Sequence, residues 1–198
     1  MKKEIFYKKS ENKKEIFGWS MYDFANTIFS ALFITVYFPL FVTLKGGTAF
    51  HVGLIMSISM FLAGLTVPLL GAIADIAKRK KLLLLIFTIT CCIFTFLTGF
   101  FSLIRVLLFA LLANYSFRAC LDVYDALLVD ISTKKNIGWI SGIGTAIGYI
   151  GTVLSVALAY LIGFFYGHET IMGIKVVFIL TALLFFGFSL FTFTLVKE

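Results

Sequence analysis

Gly71-Ala72-Ile73-Ala74-Asp75-Ile76-Ala77-Lys78-Arg79-Lys80-Lys81 ends a long apolar run in a carboxylate and then four consecutive cations. The stretch is too basic to lie in lipid. The apolar segments on either side, from about Gly53 and from Leu82, are each long enough to cross a bilayer. It reads as a short turn between two spanning helices, and because basic residues in short loops stay cytoplasmic, its cations also orient the chain.

Composition carries this outward to the whole chain. Hydrophobic residues make up 61% of the 198, Phe occurs 24 times and the mean hydropathy is +1.04. Apolar runs of about 20 residues recur, as an all-α polytopic membrane protein requires. The formal charge of +7 sits in tails and turns instead of alternating with aromatic residues on a polar face, which argues against nucleic acid as a partner. Cys91, Cys92 and Cys120 all fall inside apolar runs. Adjacent Cys91-Cys92 is not a CxxC pair, so the three read as small buried hydrophobes. No metal or cofactor is implied: His51 and His168 lie at or beyond a membrane boundary and no His-Glu pattern occurs. Enzyme chemistry has no constellation to support it, since Ser141-Gly142 is a helix-packing signal and not a nucleophile elbow.

Residues 1–15 form a basic N-terminal tail, followed by a six-helix domain over 16–198. No small-residue cleavage site interrupts the tail, so the first span is expected to stay as an anchor. Within the tail, Lys2-Lys3-Glu4-Ile5-Phe6 returns as Lys13-Lys14-Glu15-Ile16-Phe17, a spacing close to three helical turns. The tail is either solvated or an amphipathic helix on an anionic cytoplasmic leaflet.

Six spans are expected: Phe24 to Leu44, Gly53 to Ile76, Leu82 to Phe101, Leu107 to Ile131, Ile140 to Phe165 and Val176 to Val196. With an even number, both termini share one side. Thirteen of the seventeen cations then fall in the tail, the turn after the second span, the turn after the fourth and the C-terminus. Lys45, Arg105 and Lys175 fall opposite, and Arg118 lies within a span. The richer side is the cytoplasmic one, so both termini are expected there.

The spans differ in character. The third and sixth carry no charge, which suits an outer, lipid-exposed position. In the fourth, Asn114, Arg118, Asp122 and Asp125 are spaced four, four and three apart and line one face. A charge at the centre of a span costs roughly 2.5–3.5 kcal/mol, so this row must face protein or water. Arg118 can pair with Asp122 one turn on, leaving Asp125 without a partner in its own helix. The row is either a buried ion pair that holds helices together or the wall of a solvated transport cavity. The first span has a second row, Asp23, Asn26 or Thr27, Ser30 and Tyr37, with Pro39 removing a backbone hydrogen bond near its outer end. Asp23 is either interfacial, favoured by the helix dipole, or part of the cavity. In the fifth span Gly144, Gly148, Gly151 and Ser155 recur at four, three and four, a stripe that lets another helix approach closely.

Gly71 to Lys81 resembles the motif between the second and third helices of major facilitator transporters: a glycine, small or apolar residues, Ala-Asp and a basic cluster. Gly18-Trp19-Ser20-Met21-Tyr22-Asp23-Phe24-Ala25-Asn26, Tyr124-Asp125-Ala126-Leu127-Leu128-Val129-Asp130 and Ser141 to Gly151 narrow the likeness to the branch holding uncharacterised bacterial facilitators and fungal vacuolar amino-acid effluxers. Two positions depart from the motif, Ile76 in place of a basic residue and Lys78 in place of glycine. The resemblance implies half of a twelve-helix fold, itself a 3+3 inverted repeat. The first and fourth helices would line the cavity, the second and fifth would meet the other half, and the third and sixth would face lipid. It also implies alternating-access transport of a small solute, possible classes including amino acids. Arg118 would attract an anionic group, Asp122 and Asp125, and secondarily Asp23, would couple protons, Asn114 and Asn26 would complete the substrate or coupling set, and Gly71, Asp75, Lys78, Arg79 and Lys80 would latch a cytoplasmic gate. The second half would come from a two-fold homodimer or another six-helix unit, with Asp75 near Gly138 to Ser141 of the partner. A non-transporting scaffold and a channel are the competing classes.

Overall fold

A computed structural model describes residues 12–77, 79–167 and 169–197, apart from the side chains of Ala74, Asp75 and Ala77. Lys78, His168 and most of the N-terminal tail lie outside the described residues. No strand occurs among the described residues. Six helices are long and apolar enough to cross a membrane, and this is an integral membrane protein. They are α1 (Lys13–Leu44), α2 (Ala49–Ala77), α3 (Lys80–Thr98), α4 (Leu103–Ile131), α5 (Ile137–Tyr166) and α6 (Ile171–Leu195).

The helices outrun the apolar runs that betray them. α1 begins at Lys13, where the Asn12 side chain accepts a hydrogen bond from the Lys14 backbone N–H at 3.2 Å, because a polar first turn adds length without needing lipid. Gly46 and Gly167 carry positive φ values of 83° and 85°, and they turn the chain just after α1 and α5, where an L side chain would be strained.

Packing gathers the six helices around α1 and α4. α1 lies against α5 and α6, α4 lies against α2 and α3, and α3 packs on α6. Exchanging the first three helices for the last three reproduces the same set of contacts. A column of aromatic rings fills the centre: Phe29 stacks against Phe33, Phe117 and Phe185 at 5.1, 4.6 and 5.3 Å between centroids, and Phe178 meets Phe33 and Phe41. Offset and edge-on ring contacts of this kind add to the packing that holds helices together in lipid.

The third and sixth spans each keep one exposed apolar face and pack the other on protein. α1 and α4 are the most buried of the six and α2 and α5 the least. α3 and α6 are apolar on both sides because one side packs on protein, burying Leu84, Cys91, Phe178 and Phe185, and the other faces outward with Ile86, Ile93, Leu183 and Leu190. Several of their buried hydroxyls are satisfied within the helix, Thr88, Thr95 and Ser189 donating to the carbonyls of Leu84, Cys91 and Phe185 at 2.6–2.7 Å, whereas Thr192 donates across to the Gly18 carbonyl of α1 and the buried Thr181 hydroxyl has no partner.

α1 is not a uniform helix. Lys13–Phe29 is α-helical, Ser30–Tyr37 is π-helical, and Phe38–Leu44 returns to α with Pro39 in its first turn. Proline offers no N–H and its ring crowds the carbonyl four residues back, so the winding widens just before it. The extra residue moves everything beyond it about 100° around the axis.

Candidate functional site

Two of the four polar residues of α4, Arg118 and Asp122, reach an open groove midway along the bundle. Asn114 is fully buried and donates from Nδ2 to Ser59 Oγ on α2 at 2.5 Å, while its Oδ1 has no partner. Arg118, a turn further, is half-buried, and its Nε has no hydrogen-bond partner. Its guanidinium carbon lies 5.9 Å from the Phe117 ring centroid. Asp122 and Asp125 are exposed. Among the described residues no ion pair joins Arg118 to Asp122, so the pairing open to them one turn apart is not made at contact distance, although both line the same small space between α2 and α4.

α1 contributes the facing wall. Asn26 is 3% exposed, and both ends of its amide are buried without a partner. It lines a cavity of about 370 Å³ with Asp23, Thr27, Ser30, Phe117 and Arg118. The hydroxyls in this wall are already engaged as donors, Thr27 to the Asp23 carbonyl and Ser30 to the Thr27 carbonyl. The charged and amide groups are therefore the ones left to bind. Tyr37 does not belong to this row. It is 5% exposed and its hydroxyl donates to the Ala159 carbonyl of α5 at 3.4 Å, because the π-helical stretch turns it away. Ile34 and Thr35 line the cavity in its place.

The cavity runs on along α4. A second space of about 180 Å³ between α2 and α4 shares Arg118 and Leu121 with the first, and a third, about 450 Å³, shares Asp122 with the second and reaches Gly71 and Lys80. α2 opens toward this groove at Gly64 and Pro68. Pro68 sits inside the helix and leaves the Gly64 carbonyl without its usual donor. Thr66 and Tyr115 tie the same region of α2 to α4 through a 2.8 Å hydrogen bond. Pro68 and the Ser59–Asn114 bond were not singled out from the sequence, although a proline in the middle of an apolar run is a readable sign of broken helix geometry.

At the end of the bundle near residue 80, Lys80 Nζ donates to Asp130 Oδ2 of α4 at 2.9 Å and to the Ala126 carbonyl at 3.4 Å. Lys81 donates to the Val196 carbonyl at the end of α6. The basic turn thus supplies cations to the C-terminal ends of two helices, where the dipole favours them. Arg79 is exposed in the turn, and the Asp75 side chain and Lys78 lie outside the described residues. Asp130 was missed as a partner; a carboxylate at a helix C-terminus opposes the dipole and so advertises a cation nearby. Asp130→Asn is expected to lower stability by no more than about 1 kcal/mol, less at high salt, because the pair is partly exposed. Thermal unfolding at low and high ionic strength checks it.

The glycine stripe of α5 faces α1 of the same unit. A Cβ built on Gly144 would fall 2.5 Å from the Trp19 ring, one on Gly148 would come within 2.9 Å of Thr27 Oγ1 and 3.1 Å of Asp23 Oδ2, and one on Gly151 would meet the Phe24 carbonyl oxygen at 2.8 Å. Trp19 is itself fixed, stacked on Tyr124 at 4.4 Å and donating from Nε1 to the Tyr124 carbonyl. The stripe therefore sets how deeply Asp23 sits beside the cavity.

Over 149 residues the chain is 31% identical to the uncharacterized MFS-type transporter YxiO of Bacillus subtilis (strain 168), a stretch covering 69% of this chain and 35% of that protein. The chain is similar to part of an MFS-type transporter. It is also 26% identical over 151 residues to an uncharacterized protein of Aquifex aeolicus (strain VF5), covering 72% of this chain and 38% of that protein. It spans a little over a third of the length of these curated relatives. No protein-family profile and no solved structure matches it. The likeness to an MFS-type transporter agrees with the six spans.

Proposed function

We propose that this six-helix unit is one half of a secondary transporter of the MFS kind. It carries a small solute, with amino acids the class to try first, by rocking against a second six-helix unit. The observation that carries the proposal is the shared cavity of α1 and α4, where the Asn26 amide and Arg118 Nε are buried without partners. An unsatisfied buried polar group costs about 1–3 kcal/mol. Two of them beside one cavity mid-span are groups kept ready for a ligand.

In this scheme Arg118 holds an anionic group of the solute and Asn26 orients it. Asp122 and Asp125 exchange the coupling proton, and Asp23 supports them. Gly71, Asp75, Lys78, Arg79 and Lys80 form the latch of the inner gate, with Lys80 anchored on Asp130. The second unit covers α2 and α5, whose outward faces carry Phe61, Leu65, Tyr149 and Val153 in exposed positions. A second copy about a two-fold axis and a further six-helix unit are both able to supply it. The cation count supports termini on the cytoplasmic side of a bacterial cytoplasmic membrane.

Reconstitution into proteoliposomes tests this. Saturable uptake of amino acids driven by a proton gradient is the expected result, with the Asp122→Asn, Asp125→Asn double variant losing the gradient dependence. An undiminished gradient dependence in that variant would sink the coupling assignment. Absence of saturable flux for a wide panel of small solutes, from folded protein, would favour a scaffold role. In a two-fold dimer, Asp75→Cys in one copy crosslinks to Ser141→Cys in another, and failure of that crosslink would send the second half back to a different chain segment or protein.

A further inference from the structure

We infer that the π-helical stretch Ser30–Tyr37 is a hinge built into α1, at which the outer segment Phe38–Leu44 tilts against the inner segment Lys13–Phe29. The inference deepens the transport reading and rests on it for the use to which the motion is put. It starts from an irregularity in the burial pattern. In a straight α-helix, two turns span about seven residues. Seven residues after Phe29 stands Val36, which is 48% exposed, whereas the buried residue is Tyr37, eight on. Eight after the fully buried Phe33 stands the equally buried Phe41. The inner and outer segments are thus in register with the same core only because one extra residue is wound between them.

That residue makes a weak point. π turns interrupt the ordinary hydrogen-bond ladder, recur at functional sites and are among the places where helices kink. Pro39 withholds a further donor, and within the stretch the Thr35 hydroxyl donates to the Ser30 carbonyl five residues back at 2.9 Å. Each side of the weak point is anchored by aromatic rings, Phe29 on Phe117 and Phe185, and Phe41 on Phe178. Between the anchors Phe33 stays packed on Phe178, while the face bearing Ser30, Ile34 and Thr35 borders the cavity and has space to tilt into. Among the described residues, the side-chain hydrogen bond from the stretch to another helix is the long one from Tyr37 to Ala159. A tilt toward the open side narrows the outer end of the cavity beside Asn26 and Arg118.

Deleting Val36 tests the hinge. Removing one residue from a regular spanning helix turns all that follows off its packing face, and deletion of exposed Val153 in α5 serves as that control. Deletion of Val36 instead restores α winding with both aromatic anchors in place. In nanodiscs the Val36 deletion is expected to keep the unfolding midpoint of the unaltered chain while the Val153 deletion loses it. Amide hydrogen exchange over residues 33–44 is expected to slow about tenfold or more, and flux in proteoliposomes to fall by about tenfold or more. The inference is overturned if the Val36 deletion is as damaging to the fold as the Val153 deletion. It is equally overturned if the shortened helix exchanges and transports like the unaltered one. Should the unaltered protein move no solute, the transport reading falls by itself, and the exchange rates alone decide for or against the hinge.

Discussion

Replacing Arg118 by glutamine is expected to lower solute flux about 100-fold or more, since losing a desolvated charge partner typically costs about 2–5 kcal/mol of binding. Folded protein is expected to be recovered in undiminished amount. The two halves of this expectation come from the same geometry. A charge at mid-span costs roughly 2.5–3.5 kcal/mol to insert, and Arg118 recovers little of that inside the unit, where it has the Phe117 ring at 5.9 Å and the exposed Asp122 across a shared space, with no ion pair at contact distance. Removing it leaves no carboxylate stranded, because Asp122 makes no ion pair with it and faces the open groove. A structural arginine behaves in the opposite way, since losing one partner of a buried pair destabilises the fold. Arg118→Lys separates charge from shape: it keeps the cation and loses the planar fork, so an intermediate flux is expected. Initial uptake rates and thermal unfolding of the three proteins decide the matter. Full flux with a lowered unfolding midpoint would turn Arg118 into a packing residue.

How much of this was legible in the sequence follows from which forces act on one helix alone. The number of spans and their order depend on runs of apolar residues, and those are local. The polar row of α4 is local too: Asn114, Arg118 and Asp122 follow from regular winding, and the helix is regular there. The row of α1 failed at Tyr37 for the same reason turned round. Position 37 follows from position 30 only in an α-helix, and the π-helical stretch displaces it. Helix starts were read too late because hydropathy reports where lipid begins, whereas Asn12 and the polar first turn of α1 open the helix before it; the far ends agree more closely, the third span stopping at Thr98, short of Phe101. Contacts between helices were the least legible. The Lys80–Asp130 pair joins residues 50 apart, and the orphaned amide of Asn26 is visible only once every neighbour is in place.

Gly151→Leu is expected to be the most damaging single substitution in α5, and its harm should not depend on any partner. Even the first atom of a side chain there lies 2.8 Å from the Phe24 carbonyl oxygen and 3.3 Å from the Phe24 ring. The oxygen belongs to a helix backbone and cannot step aside, so α1 and α5 must separate. Overpacking of a filled interior costs about 1–3 kcal/mol for small insertions and more for a whole leucine. Gly142→Leu, on the same helix but with open space around it, is the matched control and should unfold like the unaltered protein. Small residues on a spanning helix invite the thought of a partner chain, and oligomeric mass measured beside thermal unfolding tells the two cases apart. A stripe that binds α1 within the unit gives a lowered midpoint for Gly151→Leu at every protein concentration. A stripe that binds another unit would give dissociation with the midpoint kept, and would put the contact of α5 with α1 in doubt. The face left for a second unit is then the other one, where Tyr149, Val153, Val156 and Phe164 stand exposed. Helix α5 thus holds the cavity wall in place with its small side and offers its large side outward, and the two roles can be removed one at a time.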